Sequence, residues 1–239
     1  IGVVLLPEVS RAHHSDDDAG ALAAASRTLE FGLLLVLPAA LSIAVLADPI
    51  VDVIYRRGAF SIEDAAATAD VLRALAAALP FFVLVKTLLP PYLARETIRT
   101  PIIAALAGVA VNVIVTRALI GALGAVAAPV GVAASAFVNA SVLAIGLAAA
   151  RGVPIDARGR RALPKIVAIS CITAFVAWGL ARLLSGATAP TSEFVPRVGA
   201  LVFICCAGVA THGALAALIG LADLSAIKRV ARQRRQDAA

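Results

Sequence analysis

Charge is scarce in this chain. Asp, Glu, Lys and Arg make up 15% of its 239 residues, well under the roughly 25% of soluble domains, and a water-soluble globular domain is not expected. Methionine is absent and cysteine occurs three times. Cys171 and the adjacent Cys205 and Cys206 have no metal-ligand spacing and no flanking His or carboxylate pair, so they are expected to pack within helices. The patterns HExxH, GxSxG and GxxxxGKS/T are missing, which leaves membrane-protease, hydrolase and ATPase chemistry without residues to run on. No enzyme activity, cofactor or metal is expected. His13 and His14 beside Asp16, Asp17 and Asp18 read as a solvated loop.

Hydrophobic residues are what the chain has in excess, at 61% with a mean hydropathy of +0.96. They form six long runs, at 29–55, 71–93, 102–120, 126–150, 166–184 and 198–221. A helix rises about 1.5 Å per residue and a bilayer core is about 30 Å thick, so each run is close to the length of one crossing. Spanning elements in hydrocarbon are helices or closed barrels, and period-two alternation is missing here. The expected fold is all-α: a polytopic membrane helix bundle of six complete transmembrane helices. The short apolar opening, Ile1 to Pro7, reads as the end of a seventh that begins upstream, since it lacks the basic segment and cleavage site of a signal peptide.

The net charge of +6 is not read as a nucleic-acid signal. Its basic residues flank the apolar runs instead of lining a soluble face, and anionic membrane lipids are the expected partners. Arg151, Arg158, Arg160, Arg161 and Lys165 follow the fourth run, and Lys228, Arg229, Arg232, Arg234 and Arg235 follow the sixth. Positive-inside bias puts both clusters in the cytoplasm, with the C-terminus. Counting back in pairs adds Arg95 and Arg99, then Arg11 and Arg27. The opposite side receives the segment around Tyr55 to Asp70, a tight turn near Gly121 and Gly124, and the stretch from Ser185 to Arg197.

Within the runs, Pro38, Pro80, Pro90, Pro91 and Pro129 remove helix hydrogen bonds and invite kinks of the kind transporters use. Small residues crowd the third and fourth runs, among them Gly108, Ser135 and Ala136, and permit close helix approach. Lys86 is the internal charge that stands out: an ammonium at mid-bilayer costs about 2.5 to 3.5 kcal/mol on insertion scales, and such residues face a cavity or a partner. If the chain is one helix from Lys86 to Arg95, about 13 Å separates them, too far for snorkelling. Asn112 and Asn139 are candidate polar packing or cavity residues, and His212 beside Thr211 reads as a hydrogen-bonded packing histidine.

Particular stretches resemble one family. Leu5, Leu6, Pro7, then Ser10 and Arg11; Tyr55, Arg56, Arg57, Gly58, Ala59, Phe60; and Val138, Asn139, Ala140 after Gly131 are similar to segments of the MurJ (MviN) lipid II flippase family. So is Lys86 followed by Tyr92, Leu93, Ala94, Arg95, Glu96, Thr97, Ile98, Arg99, Thr100, Pro101, which resembles that family's "K…FYARxDxRTP" signature. Leu93, Thr97 and Thr116 depart from the pattern.

The resemblance implies that residues 1–150 are the C-terminal lobe of a transporter core, from the end of its eighth helix to its twelfth. Residues 151–165 would then be a basic cytoplasmic connection, and 166–239 a thirteenth and fourteenth helix with a basic cytoplasmic tail. It also implies lipid II, the undecaprenyl-pyrophosphate-linked peptidoglycan precursor, as substrate, alternating access in the bacterial inner membrane as mechanism, and an N-terminal lobe of the same protein as partner. Lys86 would offer a cation to the pyrophosphate. Arg95 and Arg99, on one face if their segment stays helical, would serve a cytoplasmic gate or attract the anionic headgroup. The alternatives are a related exporter of drugs or polysaccharide-linked lipids and a non-transporting membrane scaffold.

Overall fold

The computed structural model describes residues 18–56, 58–151, 157–188 and 194–221. The apolar opening with its neighbouring His and Asp residues up to Asp17, Arg57, and the basic tail from Lys228 to Arg235 lie outside the described residues.

The described residues form α1 (Asp18–Val45), α2 (Ala47–Ile54), α3 (Ile62–Leu88), α4 (Pro90–Leu93), α5 (Arg99–Leu123), α6 (Ala127–Arg151), α7 (Ala157–Leu183), α8 (Ser185–Thr188) and α9 (Phe194–Leu218), with a 3-10 turn at Gly124–Val126 and no strand. Five stretches are long and apolar enough to cross a membrane. The longest, Arg99–Ala149, holds 51 residues and folds back at Gly124, whose φ of +54° suits glycine, so it supplies two crossings. A β-carbon on Gly108 would meet Ser135 and one on Gly131 would meet Asn112, so α5 and α6 run antiparallel. The expected all-α membrane bundle is therefore present, with α1, α3, α5, α6, α7 and α9 as its long helices.

The helices pack in a row. In space the main neighbours run α5, α6, α3, α1, α7, α9. A row buries little of each member, which is why Ile103, Leu106, Val109 and Ile114 on α5 are all more than half exposed. A soluble protein does not tolerate such a surface; in hydrocarbon it is the stable arrangement. Four apolar clusters join the row. Leu34, Ile166, Ile169 and Ala216 tie α1 to α7 and α9; Leu46, between α1 and α2, meets Ala177 and Ile204 at the far end; Ala47, Val51, Ala65 and Ala69 seat α2 on α3; Leu88, Tyr92, Ala104 and Leu143 join the end of α3 to α5 and α6.

Two sequence expectations change here. The run 29–55 is not one helix: α1 begins earlier, at Asp18, and the chain breaks at Leu46 before α2. Pro49 explains the break, because it has no N–H for the Val45 carbonyl and its ring crowds that carbonyl. The three cysteines do not pack in the interior; all are free and exposed on the outer sides of α7 and α9.

Pro38 and Pro80, by contrast, lie inside continuous helices, and Pro129 falls in the first turn of α6, where a missing N–H costs nothing. The basic residues Arg158, Arg160, Arg161 and Lys165 belong to the first turns of α7.

Short α2 is held from two sides. Arg73 on α3 pairs with Asp48 of α2 and, at 2.6 Å, with Asp70. Arg197 on α9, 7% exposed, donates to the carbonyl of Asp52, one of the last four carbonyls of α2. A cation is favoured there by the orphan carbonyls and the helix dipole. The next element starts cleanly: Ser61 Oγ accepts from the Asp64 N–H at 3.0 Å while Asp64 Oδ2 accepts from the Ser61 N–H at 3.1 Å, a reciprocal cap on α3.

Candidate functional site

The signature from Lys86 to Pro101 folds as a hinge between α3 and α5. Pro90 and Pro91 cannot extend the hydrogen-bond ladder of α3, which ends at Leu88, and they start the single turn of α4. The backbone then tightens, with the N–H of Arg95 donating to Tyr92 at 3.2 Å, that of Glu96 to Leu93 at 3.1 Å and that of Thr97 to Tyr92 at 3.0 Å. Glu96 takes a φ of +55°, an uncommon conformation for a residue with a side chain.

This geometry alters the arginine pair. Residues 94–98 are turn and coil, and Arg99 opens α5, so Arg95 and Arg99 do not share a helix face. Arg95 is half-buried and Arg99 exposed. The unbroken helix from Lys86 to Arg95 is absent too, because α3 stops at Leu88. Lys86 lies in the last turn of α3, exposed on a stripe with Leu75 and Phe82, and makes no ion pair with another described residue. The flanking sectors of α3 are occupied: Val83 packs toward Gly32 of α1, while Val85 joins Leu88 and Leu143 on the α6 side. Lys86 therefore projects between these contacts, from one open side of the helix row.

Tyr92 anchors the hinge. Its ring is buried and its hydroxyl donates to the Leu143 carbonyl of α6 at 2.6 Å. Gly146, one turn further along α6, leaves room for it: a β-carbon there would sit 2.6 Å from Tyr92 Oη and 2.9 Å from Thr100 Cγ2. Sequence reasoning quoted Tyr92 as part of a motif but assigned it no task. Its position directly after the paired prolines was the available signal.

Asn112 and Asn139 both lie in the α5–α6 interface, half-buried. Thr116 Oγ1 donates to Asn112 Oδ1 at 3.1 Å opposite Gly131, while Asn139 sits by Gly108. The Thr116 departure from the family pattern thus still supplies a polar partner for Asn112. His212 joins three helices: Nε2 is 2.9 Å from the Leu34 carbonyl of α1 and Nδ1 is 3.3 Å from Thr173 Oγ1 of α7. Among the described residues no group of His, Cys, Asp and Glu is placed to hold a metal.

A model of the family described as "Lipid II flippase MurJ" matches residues 1–199. A probable lipid II flippase MurJ of Rhizobium meliloti (strain 1021) is 33% identical over 233 residues, covering 96% of this chain and 43% of the relative. One from Rhizobium tropici is 30% identical over 239 residues, covering 98% of this chain and 44% of the relative. A solved lipid II flippase MurJ in an inward closed conformation superposes with a TM-score of 0.71 at 20% identity, over 92% of this chain and 42% of that one, which shows a shared fold. The chain thus spans less than half the length of these curated relatives. It belongs to the lipid II flippase MurJ family and is a multi-pass helical membrane protein.

Proposed function

We propose that this chain takes part in flipping lipid II, the lipid-linked peptidoglycan precursor, from the cytoplasmic to the periplasmic leaflet of the bacterial inner membrane. Lys86 is the observation that carries the reading at residue level. It is a cation on an otherwise apolar stripe, flanked by exposed Leu75 and Phe82 and with no described counter-ion. Burying that charge against acyl chains is costly, whereas a water-filled path holding a pyrophosphate gives it a partner.

In this account the open side of the row that carries Lys86 is one wall of the transport path, and an N-terminal lobe is the facing wall. Arg99, exposed at the start of α5, draws the anionic headgroup toward the cytoplasmic entry, and half-buried Arg95 supports the hinge beside it. A cytoplasmic C-terminus is supported by the positive-inside bias of the basic clusters before and within α7 and beyond α9 in the sequence. No bond in the substrate is made or broken, so the reaction is transport and not catalysis. Alternating access of this kind is driven by coupling to an ion gradient or the membrane potential.

Purified chain in nanodiscs of neutral lipid tests the reading by direct titration with lipid II. Lys86→Ala is expected to weaken binding by about tenfold or more, the equivalent of about 1.4 kcal/mol, while Lys86→Arg retains most of it. Unchanged affinity in Lys86→Ala would remove Lys86 from the substrate path.

A further inference from the structure

The outward side of α7 carries a feature that the transport reading does not use. Residues Ala162, Ile166, Ile169, Thr173 and Ala177 form its buried stripe. On the opposite side, at helical spacing, Cys171, Phe175, Trp178 and Arg182 are exposed. The last three are in contact: the Phe175 and Trp178 ring centroids are 5.8 Å apart, and the Arg182 guanidinium lies 5.3 Å from the Trp178 ring centroid. Trp178 is 41% exposed and Phe175 69%. Arg182 makes no ion pair with another described residue.

The depth of this group follows from helix length. At about 1.5 Å per residue, α7 (27 residues) is roughly 40 Å long and exceeds a hydrocarbon core of about 30 Å, so its ends reach the headgroup layers. Its first turns hold Arg158, Arg160, Arg161 and Lys165, and Arg182 is one residue from the opposite end. Helical side chains lean toward the N-terminus, which lays the guanidinium back over Trp178 instead of out into water. A tryptophan ring and an arginine stacked at that level meet the glycerol and phosphate zone of the bilayer, with the arginine's free N–H groups available.

We propose that Arg182 and Trp178 form a binding site for the headgroup of an anionic phospholipid on the outward face of α7, at the end opposite its basic turns. The guanidinium donates to the lipid phosphate, the indole packs against the glycerol backbone, and Phe175 contacts the upper acyl chain. Charge selects the occupant: a cation stacked on an indole and without a counter-ion among the described residues favours a lipid with net negative charge over a zwitterion, whose own ammonium competes for the phosphate.

Trp178 is the only tryptophan in the chain, so its fluorescence reads this site alone. The chain is reconstituted in phosphatidylcholine vesicles with a minor fraction of phosphatidylglycerol, and bromine is placed on the acyl chains of one lipid or the other at equal mole fraction. Brominated phosphatidylglycerol is expected to quench Trp178 as though enriched about fivefold around it. Arg182→Gln is expected to abolish that preference, Arg182→Lys to keep part of it, and Arg117→Gln, on α5, to leave it unchanged. Raising salt to about 1 M on the unaltered chain, where the Debye length is about 3 Å, should remove most of the preference without any substitution, so a poorly inserting variant does not prevent a decision. Equal quenching by the two lipids, or a preference that survives both Arg182→Gln and high salt, would overturn the proposal.

Discussion

His212 on α9 donates, through Nε2 at 2.9 Å, toward the carbonyl oxygen of Leu34 on α1. That carbonyl is the one Pro38 leaves without a donor, because a residue with no N–H stands four positions further along the same helix. Two helices far apart in sequence thus settle one another's hydrogen bonds: the proline opens an acceptor at the α1 surface and the histidine of the last helix fills it.

The pair is expected to behave as a coupled unit. His212→Ala leaves a half-buried carbonyl unsatisfied and should destabilise the chain by about 1 to 3 kcal/mol, read as thermal unfolding in detergent. Pro38→Ala restores the helical N–H, so the same histidine substitution in that background should cost about 1 kcal/mol less. Equal costs in both backgrounds would show that His212 stabilises by packing alone.

Tyr92 and Gly146 make a second coupled pair. Gly146→Ala places a β-carbon 2.6 Å from Tyr92 Oη and should cost about 1 to 3 kcal/mol by overpacking. Tyr92→Phe forfeits the bond to Leu143 and should cost about 1 kcal/mol on its own. Because it removes the colliding oxygen, it should lower the cost of Gly146→Ala when the two are combined; strictly additive melting shifts would contradict the geometry.

The glycines of the α5–α6 hairpin are expected to differ in tolerance. At Gly108 a new β-carbon meets Ser135 Oγ at 3.1 Å and its carbonyl at 3.3 Å, a crowding that the helix propensity of alanine, worth about 1 kcal/mol over glycine, largely offsets. At Gly131 it collides with Thr116 Oγ1 and stands 3.0 Å from the Asn112 carbonyl, which cannot rotate away. Gly108→Ala should therefore melt close to the parent, and Gly131→Ala should lose about 1 to 3 kcal/mol. The reverse order would mean that the hairpin packs differently.

Hydropathy and length made the crossings legible, since six runs near the bilayer thickness leave few alternatives. What it did not reveal was tertiary. The break at Leu46 was present in the sequence as Pro49, but a largely apolar run hid a helix end that only backbone chemistry marks. The Lys86-to-Arg99 segment carried a family signature, yet its paired prolines and the left-handed Glu96 decide its shape, and helical spacing placed Arg95 and Arg99 together where the chain separates them. Arg197 read as an outer-loop residue; its burial against the end of α2 depends on which helices are neighbours, which no local pattern records. For the same reason Tyr92 and His212 acquired their partners only in the folded chain.

Growth rescue decides whether this chain and its Lys86 serve lipid II transport. This chain is exchanged for the matching segment of the Rhizobium meliloti relative, and the chimaera is expressed in bacteria depleted of their own lipid II flippase. The account expects the chimaera to restore growth and its Lys86→Ala version to fail at equal abundance in the membrane. A chimaera that reaches the membrane at normal levels without restoring growth, or a Lys86→Ala version that grows as well as its parent, would contradict it.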